Sequence, residues 1–545
     1  MFEKLNTKKN MLAVVFVCSV IYTSILVCMQ NIIGVNYWDI FVYLQNAMLF
    51  SNINIGSQLA LPPVLSLLVA IPFRMGFISE LSLFCVSGLL FIALLVGIYL
   101  LFIRRYTPFI SFMGSMFFGM LSVVVTWAVS GSCDLPALSF AIWAILFTIY
   151  ALDYDFKYFY VAFICFICAF FTRYTEGFIL FVILRYFVMN IDKFKKQATK
   201  KKVIKLVAFM LLCGGVIAAA YLINQGRIPF ISQFIEVSKS SQVSSVNIGY
   251  DPNPLYYIQN MPQLLTSMYV SSTYDATLTC VSNMPTILSY VIMALAAVGV
   301  VSVFYPLFKD RCEFSRSDKI IIAICTLLAI VCIISYTHVS YIISEVLFLA
   351  VVILLCKKFR SKFNDMDISM FILMGVFIIM HSYHPVKVDR YIMAVFIPVV
   401  YFMIKTIVEI PKLNIKNATK IIAVLLIILT LINTSYITSL AHPNEHTTDE
   451  KDAANWLQNY DENYTQHNIS SDRGVAFSWY LKKYTYTTIP RVVEANNDSF
   501  NETLNSINAT YYIDSTSNLT HIDGYHEIYS SNSTQINKIK IYEKN

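Results

Sequence analysis

The chain has 545 residues, 57% of them hydrophobic and only 13% charged, with a formal net charge of +7. A soluble domain carries roughly 25% charged residues, so this composition excludes a soluble enzyme, a disordered chain and a fibrous repeat. The apolar residues fall in runs of about 20, long enough to cross a bilayer core as helices, and the fold class this predicts is an α-helical polytopic membrane protein.

The first run, Met11 to Met29, lacks a small-residue cleavage site and reads as an uncleaved anchor. Further spans are expected near 81–103, 109–130, 135–152, 158–172, 176–191, 203–223, 285–308, 319–336, 340–356, 367–382, 391–408 and 419–440. With the first, near 11–30, that makes thirteen crossings. Lysines and arginines cluster in alternate loops: Lys4 to Lys9, Arg104 and Arg105, Lys193 to Lys205, Lys309 to Arg316, Lys357 to Lys362, and Lys412 to Lys420. The positive-inside rule makes these loops cytoplasmic, puts the N-terminus inside and places the C-terminus outside. Counting the apolar stretch Leu61 to Phe77 as a span would reverse every later basic loop. Pro62, Pro63, Pro72 and Arg74 also interrupt it, so it reads as a helix pair lying against the outer leaflet.

Charges at the outer ends of helices are the informative ones, because a charge at the bilayer centre costs about 2.5–3.5 kcal/mol. Asp39 follows the first span in an aromatic setting with Tyr37 and Tyr43, and Asp134 precedes Pro136 in a tight outer turn. Each also suits the N-cap of the helix that follows. Arg173 and Glu176 share the next outer turn, where they could pair at i,i+3. A late outer loop crowds His381, His384, Lys387, Asp389, Arg390 and Tyr391. An arginine at a helix mouth is suited to gripping a phosphate with two parallel hydrogen bonds. That is the sharper reading of Arg173 and Arg390, against a merely solvated loop.

The outer segment Asn224 to Pro285 is long for a loop. Its apolar stretches Ile231–Val237 and Tyr256–Val270 read as interfacial helices covering a cavity, or as a structural plug. Ala441 to Asn545 has no long apolar run. Strand-like alternation at 484–489, 510–514 and 537–542, with short helices at 453–457 and 475–482, predicts a small extracytoplasmic α/β domain. It holds seven N-x-S/T sequons, at Asn463, Asn468, Asn497, Asn501, Asn508, Asn518 and Asn532. The division expected is a transmembrane unit, 1–440, with juxtamembrane helices in outer loops 31–80 and 224–285, and a soluble unit, 441–545. Most of the twelve cysteines lie inside apolar runs and read as small hydrophobes. Cys133 and Cys280, in outer loops, could form a disulfide. Cys165-x-x-Cys168 and His381-x-x-His384 have the spacing of metal pairs but lack a partner motif. No metal site is assigned, and a divalent metal cofactor is left open.

These residues together resemble a known family. Tyr37-Trp38-Asp39 with Tyr43, Pro62-Pro63 ahead of Leu67-Leu68, Asp134 before Pro136, Thr172-Arg173-Tyr174 and Asp389-Arg390-Tyr391 are similar to motifs of the GT-C glycosyltransferases of the protein O-mannosyltransferase and aminoarabinose transferase type. The Trp-Trp-Asp signature of oligosaccharyltransferases is missing, which speaks against en bloc glycan transfer to Asn. The resemblance implies a hexosyltransferase using a polyprenyl (dolichyl) phosphate sugar on the outer side and inverting the anomeric centre. It makes Asp39 the general base, Asp134 a second catalytic acid that orients hydroxyls, and Arg173 and Arg390 the donor phosphate ligands. Tyr37, Tyr43, Glu176, His384 and Tyr391 become candidate acceptor or donor contacts. The partners it implies are the lipid-linked donor, the bilayer, and a glycan, lipid or protein acceptor; no nucleic-acid partner is expected. The location implied is the plasma membrane, or the endoplasmic reticulum in a eukaryote. The competing readings are a transporter or flippase of lipid-linked saccharides, disfavoured by the lack of an internal repeat, and a non-catalytic surface protein.

Overall fold

The computed structural model describes residues 7–35, 37–53, 55, 61–223, 250–270, 281–309, 314–338, 341–409, 414–495, 498–532 and 538–545. The helix expected at 231–237, Cys280 and the Asn497 sequon lie outside these residues. Helix α1 (Lys8–Ile33) starts where the Thr7 hydroxyl accepts the Asn10 N–H. It stops at Gly34, whose φ of +83° suits glycine and whose N–H reaches the Gln30 carbonyl. The chain then turns into α2 (Trp38–Phe50) and, after a loop, α3 (Val64–Arg74).

The stretch expected to form a helix pair holds one helix. Pro63 caps α3, Pro72 lies near its end, and the partner it packs against is α2. The Ser66 hydroxyl donates to the Tyr43 carbonyl, Ser51 to Ala70, and the Arg74 guanidinium to Phe50. Eleven residues span roughly 16 Å, so α3 cannot cross a core of roughly 30 Å.

Every predicted span is helical. The set runs through α4 (Glu80–Phe102), α5 (Pro108–Gly119), α6 (Ser122–Trp127), α7 (Asp134–Asp153), α8 (Tyr158–Thr172), α9 (Leu180–Met189), α10 (Ile191–Gln197) and α11 (Lys200–Ile223). The third span breaks at Met120–Leu121 into α5 and α6, and the sixth opens with a 3-10 turn, Tyr174–Ile179. Two short helices, α12 (Tyr256–Gln259) and α13 (Met261–Leu265), stand where one interfacial helix was expected. Strand β1 (Ser267–Met268) follows them and pairs with β2 (Met284–Pro285). The long helices resume as α14 (Ile287–Lys309), α15 (Arg316–His338), α16 (Tyr341–Lys358), α17 (Asp365–Tyr383), α18 (Met393–Glu409) and α19 (Ile415–Leu440). Among the described residues, eight helices are long and apolar enough to cross a membrane. The main apolar core lies between α4, α5, α7, α17 and α18.

One end of the bundle is tied by ion pairs. Arg105 meets Glu409 at 2.6 Å and Asp367 at 3.5 Å, Lys405 meets Asp367 at 3.1 Å, and Lys193 meets Asp153 at 2.8 Å. Lys8 is at this end too, its carbonyl accepting the Tyr99 hydroxyl. At the far end of α1, the Asn444 N–H reaches the Ile33 carbonyl, and there the C-terminal domain docks.

That domain opens with α20 (Glu445–Tyr460) and carries a five-stranded sheet: β3 (Asn468–Ser471), β4 (Tyr486–Thr487), β5 (Ala509–Asp514), β6 (Tyr525–Ser530) and β7 (Lys540–Lys544). The strand order is β4-β3-β5-β7-β6, with β3 parallel to β4 and β5 and with β7 antiparallel to both its neighbours. Helix α21 (Gly474–Leu481) packs Val475, Ala476 and Trp479 into an apolar cluster shared with α2 and α3. Two further helices, α22 (Pro490–Ala495) and α23 (Phe500–Ser506), follow. Of the described sequons, Asn463, Asn508, Asn518 and Asn532 are exposed, whereas the Asn468 amide is engaged by the Ile507 carbonyl.

Glu450 is one of the domain's buried acids. Its Oε1 takes Arg473 Nε at 2.6 Å and the Ser515 hydroxyl at 2.7 Å, and His446 Nε2 lies 3.4 Å away. Burial alone would raise its pKa, but Arg473, His446 and Ser515 overcome this and hold it at about 2. A depressed carboxylate contributes stability above its unfolded value, near 4.5, and loses it as pH falls towards about 2. Glu450→Gln removes the negative charge facing the Arg473 guanidinium, and breaking a buried pair costs about 3–5 kcal/mol. Hydrogen exchange of β5 and β7 in the full chain checks this: the variant exchanges faster at pH 7 and shows a weaker acid dependence between pH 4.5 and 3 than the parent.

Candidate active site

Four of the charges singled out in the sequence meet at the end of the bundle that carries the C-terminal domain. Asp39 lies in the first turn of α2, with Tyr37 at the cap position, so it is not the N-cap itself. A carboxylate in a first turn is favoured by the helix dipole. Asp134 likewise opens α7 with Cys133 at the cap, and Pro136 sits in the first turn. Arg173 follows the last residue of α8 in an extended conformation. Arg390 lies in a 3-10 turn, Asp389–Ile392, ahead of α18.

Arg390 joins the two carboxylates. Its Nη2 donates to Asp39 Oδ2 at 2.8 Å, and its Nε lies 3.1 Å from Asp134 Oδ2. Arg173 pairs with the other oxygen of Asp134 and donates from Nε to the Thr175 hydroxyl at 2.7 Å. The side chains of Asp134 and Arg390 are 3% and 4% exposed, whereas that of Asp39 is 30% exposed. The Arg390 guanidinium lies 3.9 Å from the Tyr37 ring centre and 5.1 Å from that of Trp127. Arg173 lies 4.4 Å from the Tyr391 ring. Such close contact between a cation and several rings favours arginine over lysine. Arg390 Nη1 has no hydrogen-bond partner among the described residues, so the buried guanidinium keeps donors in reserve.

The arrangement is a charge ladder, Asp39–Arg390–Asp134–Arg173. Asp134 spends both oxygens holding the arginines. Asp39 spends one on Arg390 and is the more exposed acid. Chemically the set can offer two cations to an anion and one carboxylate to a proton.

Other sequence candidates fall differently. Glu176 is buried beside this turn, but no ion pair joins it to Arg173, because Asp134 takes the guanidinium. His384 uses Nδ1 on the backbone of Val386, and its ring lies 6.4 Å from Tyr391. Tyr43 is buried on α2 one turn beyond Asp39, and its ring stacks on neither arginine. Lys387 is structural: its ammonium donates to the carbonyls of His381, Ser382 and His384, closing the end of α17. Burial pushes its pKa down to about 8. Among the described residues no group of three His, Cys, Asp or Glu could hold a metal ion. Cys133 is a free thiol. The described part of the long loop packs on this region, with Tyr257 hydroxyl and Val388 carbonyl 3.1 Å apart and a bridge between Tyr250 and Val386.

Trp127 is the residue sequence reading missed. Interfacial tryptophans are common at helix ends, so nothing in its local pattern marks it. Gly131 sets the turn that delivers Asp134. Its φ is +90°, and a Cβ there would fall 2.6 Å from Leu83 Cδ2 and 3.0 Å from Ile40 Cγ2. Gly131→Ala should lower stability by about 1–2 kcal/mol from the left-handed backbone and about 1–3 kcal/mol from overpacking. A thermal melt of the purified protein measures both together.

Comparison with known proteins follows the same lines. The sequence model of the dolichyl-phosphate-mannose-protein mannosyltransferase family matches residues 60–218. No curated protein matches the chain by sequence. The fold is similar to that of ArnT from Cupriavidus metallidurans, solved bound to undecaprenyl phosphate, with a TM-score of 0.56, 10% identity and 97% of each chain covered. The same protein in the apo state matches with a TM-score of 0.56 and 9% identity, again over 97% of each chain. An apo oligosaccharyltransferase from Archaeoglobus fulgidus matches with a TM-score of 0.52 and 11% identity, over 92% of this chain and 69% of that one. The family match and the ArnT-like fold bear out the GT-C resemblance stated from the sequence.

Proposed function

We propose that this chain is an integral-membrane glycosyltransferase moving a sugar from a polyprenyl-phosphate donor to an acceptor hydroxyl on the extracytoplasmic side. The observation that carries the reading is the convergence of Asp39, Asp134, Arg173 and Arg390, from distant parts of the sequence, at one helix-bundle end. The match to a dolichyl-phosphate-mannose transferase model and the undecaprenyl phosphate bound to a protein of similar fold support the donor class. The alternation of basic loops supports the sidedness.

In this mechanism the donor phosphate meets Arg390 and Arg173. Arg390 then shares its charge between Asp39 and the phosphate, which frees an Asp39 oxygen. That oxygen takes the proton of the acceptor hydroxyl as the acceptor oxygen bonds to the anomeric carbon. The bond from that carbon to the phosphate oxygen breaks on the opposite face, its electron pair stays with the phosphate, and the centre inverts. The arginines neutralise the charge that develops there. Asp134 keeps both guanidinium groups in place, a positioning part that differs from orienting hydroxyls. Tyr37 and Tyr391 wall the site beside the arginines.

The test is reconstitution of the full chain with dolichyl-phosphate mannose and with undecaprenyl-phosphate sugars. Release of free polyprenyl phosphate from at least one donor is expected. No release from any donor, with labelled lipid crossing the vesicle membrane, would overturn the reading in favour of a flippase.

A further inference from the structure

A cavity opens where α4, α20 and α21 meet, apart from the charge ladder. Its volume is about 270 Å³, and Glu80, Lys451, Trp479, Tyr480 and Lys482 are among the residues lining it. Glu80 is satisfied twice: Lys451 Nζ lies 3.0 Å from Oε2, and Trp479 Nε1 donates to Oε1 at 3.0 Å. That pairing leaves the exposed Lys482 as the cavity's excess positive charge. Its ammonium sits 3.2 Å from the Trp479 ring centre, carried there by a left-handed backbone with φ of +53° just past the end of α21. Among the described residues no carboxylate lies within ion-pair distance of it. Desolvation against the protein pushes its pKa down to about 8, with Lys451 adding to the fall and the Glu80 carboxylate opposing it.

The neighbouring stretch is apolar and open. Met75, Phe77, Ile78 and Leu81, which lead into α4, are 69%, 62%, 39% and 42% exposed. These four large apolar side chains follow one another along a loop and a helix start, and apolar surface of this kind suits the acyl region of a bilayer. Here they flank the end of an apolar spanning helix. A tryptophan under Lys482, a tyrosine beside it and apolar side chains next along the chain match the chemistry of a lipid at the water boundary.

We propose that this cavity binds the phosphate headgroup of an anionic phospholipid, with Lys482 on the phosphate and the acyl chains along Met75, Phe77, Ile78 and Leu81. The lipid would fasten the C-terminal domain to the juxtamembrane helices. Trp479 stacks on Phe73 of α3 at 6.0 Å, and Tyr480 meets Phe41 of α2 edge-on at 5.5 Å. Helix α2 is the one that carries Asp39, so the lipid steadies the base-bearing element without touching the reacting groups. The proposal does not depend on which sugar is moved, or on whether one is moved at all.

The experiment titrates the detergent-solubilised full chain with short-chain phosphatidylglycerol, phosphatidylcholine and inorganic phosphate, reading bound lipid by native mass spectrometry. Phosphatidylglycerol should bind saturably, and neither of the other two should displace it. A lysine near a membrane surface contributes enough that Lys482→Gln should weaken binding about fivefold. Lys482→Arg should restore it, and Lys483→Gln, whose ammonium is engaged by the Thr465 carbonyl, should leave it unchanged. Equal binding of phosphatidylcholine, displacement by inorganic phosphate at matched concentration, or parental affinity in Lys482→Gln would each overturn the proposal.

Discussion

Asp39→Asn lowers the rate of polyprenyl-phosphate release by about 10²–10⁴-fold, the contribution of a positioned general base, and leaves the melting profile close to that of the parent. The two halves of that expectation have separate grounds. Asparagine keeps an oxygen to accept the Arg390 Nη2 donor, but it cannot take a proton from an acceptor hydroxyl. The Asp39 side chain is also 30% exposed, and an ion pair partly open to water is worth about 0–1 kcal/mol. The measurement is a single-turnover assay beside a thermal melt on the same preparation. Parental turnover in Asp39→Asn would remove the base from this mechanism. Asp134 could not take over, because both its oxygens are engaged by Arg173 and Arg390.

The contrast between these two acids was not legible in the sequence. Both precede or open a helix and both sit near an outer turn, so local rules treat them alike. Only burial separates them, and burial depends on which distant segments pack together. Arg390 lies 351 positions from Asp39, and no periodicity encodes that pairing. What could be read was that each charge stood at a helix mouth, where a bilayer protein tolerates charge only with a reason. The long helices were equally open to reading, because apolar length sets them directly. Asp153, Asp367 and Glu409 drew no attention, yet they pair with the basic residues at the other end of the bundle.

The C-terminal sheet shows a second reason for partial legibility. Strands β5 and β7 carry Tyr-Tyr-Ile and Ile-Tyr, the aromatic and β-branched residues that favour strands. Strand β3, Asn-Ile-Ser-Ser, is as buried but polar. Its serines are tolerated because the Ser470 hydroxyl donates to Thr488 Oγ1 at 2.9 Å, and the Ser471 hydroxyl accepts the Arg473 N–H at 3.0 Å. A buried strand that satisfies its hydroxyls through neighbours need not be hydrophobic. The same logic hid Trp127, whose importance lies in the cation above it and not in its own position.

Arg390→Lys should lower turnover by about 10²–10³-fold, the usual loss when one donor to a developing negative charge is removed, while the protein still folds. Lysine preserves the charge next to Asp134, so the buried acid is not stranded. It cannot preserve the geometry. The guanidinium meets Asp39 and Asp134 through different nitrogens while its central carbon lies 3.9 Å and 5.1 Å from the Tyr37 and Trp127 ring centres, and Nη1 remains for the phosphate. A single ammonium offers one point charge and no plane to stack. The phosphate gains negative charge as the glycosidic bond breaks, so the lost contact is stronger in the transition state than in the bound donor. The loss should therefore fall mainly on kcat, with a smaller rise in KM for the donor. Arg173→Lys should cost less, since Arg173 meets one carboxylate, one hydroxyl and one ring. If Arg390→Lys raised KM alone and left kcat intact, Arg390 would be a docking group for the lipid phosphate, and the stabilisation of the leaving group would have to come from elsewhere.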